Sequence, residues 1–145
     1  MRALIQRVSE ASVSVEHEVV GRIGRGVLVL LAVESGDDAH RCLKLADKVI
    51  NYRLFADEDG RMNRSLKDIG GEVLVVSQFT LAADTRKGLR PSFTPAAEPT
   101  KAEALYEAFA DRVEEQLGKV ARGRFAADMK VTLTNDGPVT FLLES

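Results

Sequence analysis

Val73-Leu74-Val75-Val76-Ser77-Gln78-Phe79-Thr80-Leu81 is the most informative stretch of the chain. Four apolar residues, three of them β-branched, run without a break into a polar group. Such a run reads as a strand buried on both faces. Ser, Gln and Thr at its end carry hydrogen-bonding groups to where sites are commonly built. Ser and Thr there can also do no more than bond nearby backbone. Near the other end of the chain, Asn135-Asp136-Gly137-Pro138-Val139-Thr140 supplies a second polar stretch of the same kind.

Outward from this strand, the order of elements points to a mixed sheet. Arg2–Val8 reads as an opening strand. Ala11–Val15 alternates, turns at Glu16-His17-Glu18 and returns as Val19–Ile23, a hairpin. Gly24-Arg25-Gly26 precedes a strand rather than a helix, so it is no nucleotide-binding fingerprint. Val27–Val33 is apolar throughout and belongs in the centre. Gly36-Asp37-Asp38 offers a helix N-cap, and residues 39–51 place Leu43, Ala46, Val49 and Ile50 at helical spacing. Tyr52–Phe55 is a short strand, and Asp57–Gly60 a tight turn without the ligand spacing of a calcium loop. Residues 82–93 lack periodicity and carry Arg86, Lys87 and Arg90 in a long loop. Thr100-Lys101-Ala102-Glu103 reads as a capping box opening a helix through Ala104, Leu105, Ala108, Phe109, Val113 and Leu117, closed by Gly118. Residues 125–134, a turn at Asn135–Pro138 and Val139–Leu143 complete the chain. The expected fold is α/β of mixed type: one domain over residues 1–145, with a barrel-like mixed sheet and two main flanking helices.

Composition narrows the function. A chain of 145 residues buries roughly 70% of its unfolded surface and needs no staple. A single cysteine, Cys42, allows no internal disulfide, and no Cys/His cluster suggests zinc. No signal peptide is recognisable at the start, and no apolar run approaches a membrane span. A cytoplasmic setting is expected. A net charge of −2 argues against a broad nucleic-acid face but leaves room for a local basic patch.

No standard catalytic set of side chains is visible. His17 and His40 fall on a hairpin tip and in a first helical turn, and Cys42 sits beside an apolar stripe. A Ser or Thr hydroxyl needs a base to act as a nucleophile. Backbone N–H donors are therefore the better candidates for stabilising a reacting group. Ser77 to Thr80 can line one site only if the strand ends in a bend. Gly137-Pro138 reads as a turn. In the cis form its two carbonyls would make a small acceptor claw.

At these stretches the chain resembles the D-aminoacyl-tRNA deacylases. The resemblance rests on Gln6-Arg7-Val8, Ser77-Gln78-Phe79-Thr80-Leu81, Lys87-Gly88-Leu89-Arg90-Pro91-Ser92-Phe93 and Asn135-Asp136-Gly137-Pro138-Val139-Thr140. It implies hydrolysis of the ester joining a D-amino acid, or glycine, to tRNA, without a cofactor. It also implies a homodimer with its sites at the interface, the acceptor end of tRNA as partner, and neither membrane nor DNA. Ser77, Gln78, Phe79 and Thr80 would form the catalytic pocket. Gly137 and Pro138, as a cis pair reaching into the other subunit, would take the substrate amino group and exclude L side chains. Arg7 and Met129 match positions that buttress this turn. Arg86, Lys87 and Arg90 are candidates for tRNA contact. Two other readings stay open: a non-catalytic RNA- or ligand-binding domain, and a Thr80-dependent hydrolase of another small ester.

Overall fold

The computed structural model describes Met1–Ser145. Its centre is a pair of parallel strands, β3 (Gly26–Ala32) and β6 (Glu72–Ser77), in register from Gly26↔Glu72 to Leu31↔Ser77. Both are apolar runs, and both are buried on two sides: Val27, Leu28, Val29, Val73, Leu74 and Val75 are at most 1% exposed. Gly26 fits because its backbone lies against that of Glu72; a Cβ there would stand 1.8 Å from the Glu72 carbonyl oxygen.

Around this pair the sheet runs β2 (Glu18–Ile23), β1 (Arg2–Val15), β3, β6 and β7 (Ala121–Arg122), with β8 (Lys130–Glu144) on β1. Strand pairs β3–β6 and β6–β7 are parallel and the others antiparallel. The sheet curls until β2 nears β7, where a Cβ on Gly21 would lie 2.9 Å from the Arg122 carbonyl oxygen. The result is a mixed, nearly closed barrel. Arg2–Val15 forms one strand rather than two. Its hairpin with β2 turns through Glu16 and His17, both at positive φ, which suits the right-handed twist of the strands.

Helix α1 (Ala39–Asn51) is capped by the Asp38 carboxylate, which accepts from the Arg41 N–H at 2.9 Å. Its buried face is Cys42, Leu45, Ala46, Val49 and Ile50. Leu43, expected in that stripe, is exposed, because Leu45 and not Leu43 shares a face with Val49. A short pair, β4 (Phe55–Ala56) with β5 (Met62–Arg64), leads to a one-turn helix, α2 (Leu66–Ile69). A capping box of Ser65 and Asp68 closes that turn. Helix α3 (Pro99–Leu117) starts earlier than the expected box at Thr100: Pro99 takes the first turn and Glu98 precedes it without a side-chain cap bond. Ala104 points outward, while Tyr106 and Ala110 join the core. Gly118 ends the helix in the left-handed conformation, as its position foretells.

Two apolar clusters result. One lies between the sheet and the helices α1 and α3; the other, around Val8, Ala11, Val13, Leu28, Leu74 and Val76, fills the concave side. Tyr106 joins helix to sheet, its buried hydroxyl lying 3.0 Å from the Val75 carbonyl oxygen and 3.3 Å from that of Gly123. Arg122 binds Glu107, Asp111 and Glu114, fastening β7 to α3.

Candidate functional site

β6 stops at Ser77 because the chain bends at Gln78 (φ −140°, ψ 74°) and winds into a 3-10 turn, Phe79–Ala82. The Gln78 N–H still donates to the Leu31 carbonyl at 2.7 Å, so the bend is anchored to β3. Leu81 N–H to Gln78 O (3.1 Å) and Ala83 N–H to Thr80 O (3.2 Å) close the turn. The first two N–H groups of such a turn, those of Phe79 and Thr80, have no partner within it. The bend also brings Phe79 out to 55% exposure, against Phe93 at a ring-centre distance of 5.1 Å.

Beside the bend lies a largely apolar cavity of about 520 Å3. Val76, Ser77, Gln78 and Phe79 form one wall, Ala96, Ala97, Pro99 and Ala102 the next, and Phe125 to Met129 the third. Thr80 is exposed just outside it, and its hydroxyl meets the Gln78 amide rather than a base. A carboxamide does not take up a proton near neutral pH, so Thr80 has no activating partner. No local pattern of residues marks the Phe125–Asp128 wall. Ala126 holds a positive φ of 63° without being Gly or Asn, a signal invisible in the sequence. Met129, expected beside Gly137-Pro138, lies in this wall within the chain. Its sulfur accepts from the Arg124 N–H at 3.4 Å and packs on Gly123.

The second half is a bulge. Asn135–Pro138 is not a turn between strands: β8 pairs with β1 on both sides of it. Thr140 faces Gln6 and Asn135 faces Val8, so Asp136 to Val139 stand opposite Arg7 alone. The Gly137-Pro138 peptide is cis. Gly137 has φ 137°, and a Cβ there would lie 2.6 Å from Val139 Cγ2 and 3.1 Å from Arg7 Nη2. Arg7 spans the bulge, donating from Nε to the Asp136 carbonyl (3.0 Å) and from Nη1 to the Leu54 carbonyl (2.8 Å). Asn135 closes it from within. Its Oδ1 accepts from the Val139 N–H at 3.0 Å and its Nδ2 donates to Thr140 Oγ1 at 2.9 Å.

The two halves do not meet in one chain. Registers put Arg7, Val27 and Val73 in one row, and Ala3, Leu31 and Ser77 in another. The bulge is thus four residues along and three strands across from Ser77, about 13 Å and about 14 Å. In the loop after the 3-10 turn, Asp84 and Ser92 exchange backbone bonds of 2.8 and 2.9 Å. Arg86 there is held by Asp84 through both Nε (2.9 Å) and Nη2 (2.7 Å), which drives the Asp84 carboxyl far below its usual range. Lys87 and Arg90 are exposed. Nowhere do three His, Cys, Asp or Glu side chains gather as metal ligands.

The model of the family described as D-Tyr-tRNA(Tyr) deacylase matches residues 4–144. The chain belongs to this family. Among its relatives is a D-aminoacyl-tRNA deacylase of Histophilus somni (strain 2336), 62% identical over 143 residues, 99% of each chain. The protein of that name from Escherichia coli O81 (strain ED1a) is 58% identical over 144 residues, again 99% of each. Among solved structures, the c-Myc DNA Unwinding Element Binding Protein superposes with a TM-score of 0.94 at 39% identity, covering 100% of this chain and 99% of that one. A probable eukaryotic D-amino acid tRNA deacylase gives 0.87 at 19% identity over 99% and 98%, a likeness of fold alone.

Proposed function

We propose that this protein hydrolyses the ester between a D-amino acid and the terminal ribose of tRNA. Water adds to the carbonyl carbon, the ester C–O bond breaks, and the ribose 3′-oxygen leaves with a proton. Free amino acid and tRNA are the products, and glycine mischarged on other tRNAs is cleared in the same way. The observation that carries this reading is the division of the site into two halves about 13 Å by 14 Å apart on one sheet. A homodimer that sets the bulge of one copy against the cavity of the other would complete it. The outer edge of β8, which pairs with β1 alone, supports such an assembly.

In the completed site the cavity takes the terminal adenosine, with Phe79 beside the base. The N–H groups of Phe79 and Thr80 face the ester and stabilise the oxyanion, and the ribose 2′-hydroxyl assists. Partner carbonyls at Gly137 and Pro138 take the substrate ammonium. An L side chain would then be driven into backbone, so chirality is read by exclusion. Arg7 positions the bulge, and Met129 bounds the same space from the cavity side. Thr80 acts by shape: Gln78 gives it no base, which disfavours the Thr80-dependent hydrolase. Lys87 and Arg90 reach phosphate, Arg86 being engaged by Asp84. The partner is tRNA and not DNA, since the 2′-hydroxyl takes part, and the setting is cytoplasmic. No helix is long and apolar enough to cross a membrane.

Incubation with matched D- and L-tyrosyl-tRNA, following ester loss, tests the proposal. Rapid loss of the D ester with the L ester intact is expected. Equal cleavage of both would refute the chirality reading, and cleavage of neither would favour a binding domain. Sizing in solution tests the dimer, and a fully active monomer would refute the shared site.

A further inference from the structure

On the side of α1 opposite its buried stripe, Arg41, Lys44 and Lys48 follow at i, i+3 and i+7, all exposed, and Asn51 extends the line. Arg53 stands exposed just past the helix end. None of these four cations is in an ion pair, whereas the neighbouring Asp47 is occupied by Arg112 at 2.8 Å. Lys48, Asn51, Tyr52 and Arg53 line an open cleft of about 510 Å3 with Phe141. The Tyr52 and Phe141 rings form its apolar wall, 5.6 Å apart and tilted by 58°. The cleft adjoins the Gly137-Pro138 bulge through Arg7, which ties the Leu54 carbonyl to that of Asp136.

Free cations that lead along a helix into a cleft with an aromatic wall form a surface for a polyanion carrying flat rings. In a chain of net charge −2 such a patch is local and concentrated. We infer that Arg41, Lys44, Lys48 and Arg53 form a phosphate track for the tRNA substrate. The track guides the acceptor strand to the bulge, and the Tyr52–Phe141 pair offers a ring face to an unpaired base. This rests on the reading of tRNA as substrate. It adds that the subunit supplying Gly137-Pro138 also holds the backbone of the tRNA whose end lies in the other subunit.

The triple variant Lys44→Ala/Lys48→Ala/Arg53→Gln tests this, with Lys48→Glu alone as a milder second variant. Binding of uncharged tRNA by fluorescence anisotropy, between 50 and 200 mM salt, needs no turnover. Each phosphate contact contributes about threefold to the loss of affinity over that fourfold range of salt. The three substitutions should therefore remove about 30-fold from the salt dependence over that range, and KM for D-aminoacyl-tRNA should rise. Hydrolysis of a 3′-D-aminoacyl-adenosine, which carries no phosphate, should stay at the wild-type rate. An unchanged salt slope overturns the track, as does an equal loss on both substrates. A variant that elutes as a smaller species would instead make this cleft a contact between copies. If wild-type protein cleaves neither ester, the deacylase reading fails, while the anisotropy slopes still decide whether these residues hold tRNA.

Discussion

Replacing Arg7 by Met keeps the apolar stem and removes the guanidinium that spans the bulge. Two hydrogen bonds disappear, to Asp136 O at 3.0 Å and Leu54 O at 2.8 Å. Bonds to a charged donor contribute about 1.5–3 kcal/mol each. The Arg7 side chain is only 16% exposed, so water replaces them incompletely. A loss of roughly 2–5 kcal/mol follows, or a fall in Tm of about 5–15 °C for a chain of this length. Most of that loss falls on the bulge, because β1 and β8 keep their ladder on both sides of it. Thermal melting should therefore show a folded protein at 25 °C, while turnover of D-aminoacyl-tRNA falls at least tenfold. Arg7→Lys, which reaches one carbonyl but not both, should lie between. Wild-type turnover in a destabilised but folded Arg7→Met protein would refute a positioning role and leave Arg7 a purely structural tie.

Thr80→Ala should retain more than a tenth of wild-type turnover, since the hydroxyl has no base; complete loss in a folded protein would restore Thr80 as a nucleophile. Gly26→Ala should cost more than about 4 kcal/mol, because its Cβ would stand 1.8 Å from Glu72 O and both strands are central. Soluble expression and a near-normal melt would contradict that packing. Burial pushes Cys42 up to about 11 and Tyr106 up to about 12, so both stay protonated in the fold while the unfolded chain ionises from about pH 9 and 10. Their share of stability is complete below those values and declines as pH rises through 11 and 12. A pH series of denaturation midpoints should fall above pH 9, and a thiol reagent at pH 8 should label Cys42 only in denaturant; rapid labelling of folded protein would contradict its burial.

The buried runs announced themselves. β3 is apolar throughout, β6 is apolar from Val73 to Val76, and α1 carries its cap in Asp38, so these elements were legible from residue type alone. The start of α3 was not: the Thr100 pattern imitates a capping box, but Pro99, already at the fixed φ of a first turn, begins the helix sooner. The true box, Ser65 with Asp68, uses the shorter acid and so departs from the usual Ser/Thr–Glu/Gln pattern. The polar end of β6 was readable, along with its need for a bend. The third cavity wall was not, because Phe125–Asp128 arrives through a left-handed Ala126 and no local periodicity marks it. Gly137-Pro138 looks like a chain reversal by local chemistry, but pairing to β1 on either side keeps it within a strand.

The length of that bulge follows an arithmetic of its own. From Gln6 to Val8, β1 advances two residues while β8 goes back five, from Thr140 to Asn135, a surplus of three in β8. From Val8 to Glu10, β8 goes back by one only, a surplus of one in β1. Both surpluses are odd, and an odd surplus turns a strand over. Ala3, Ile5, Val139 and Leu143 accordingly face the helices, whereas Ala11, Val13, Val131 and Leu133 face the concave cluster. The same residues that present Gly137-Pro138 therefore form the corner at which two paired strands exchange cores together. A change of two residues in this segment leaves the facing of both strands as it is. A change of one would put Val131 and Leu133 in water and Thr132 inside, so the parity of this segment's length, before its chemistry, decides whether both cores survive.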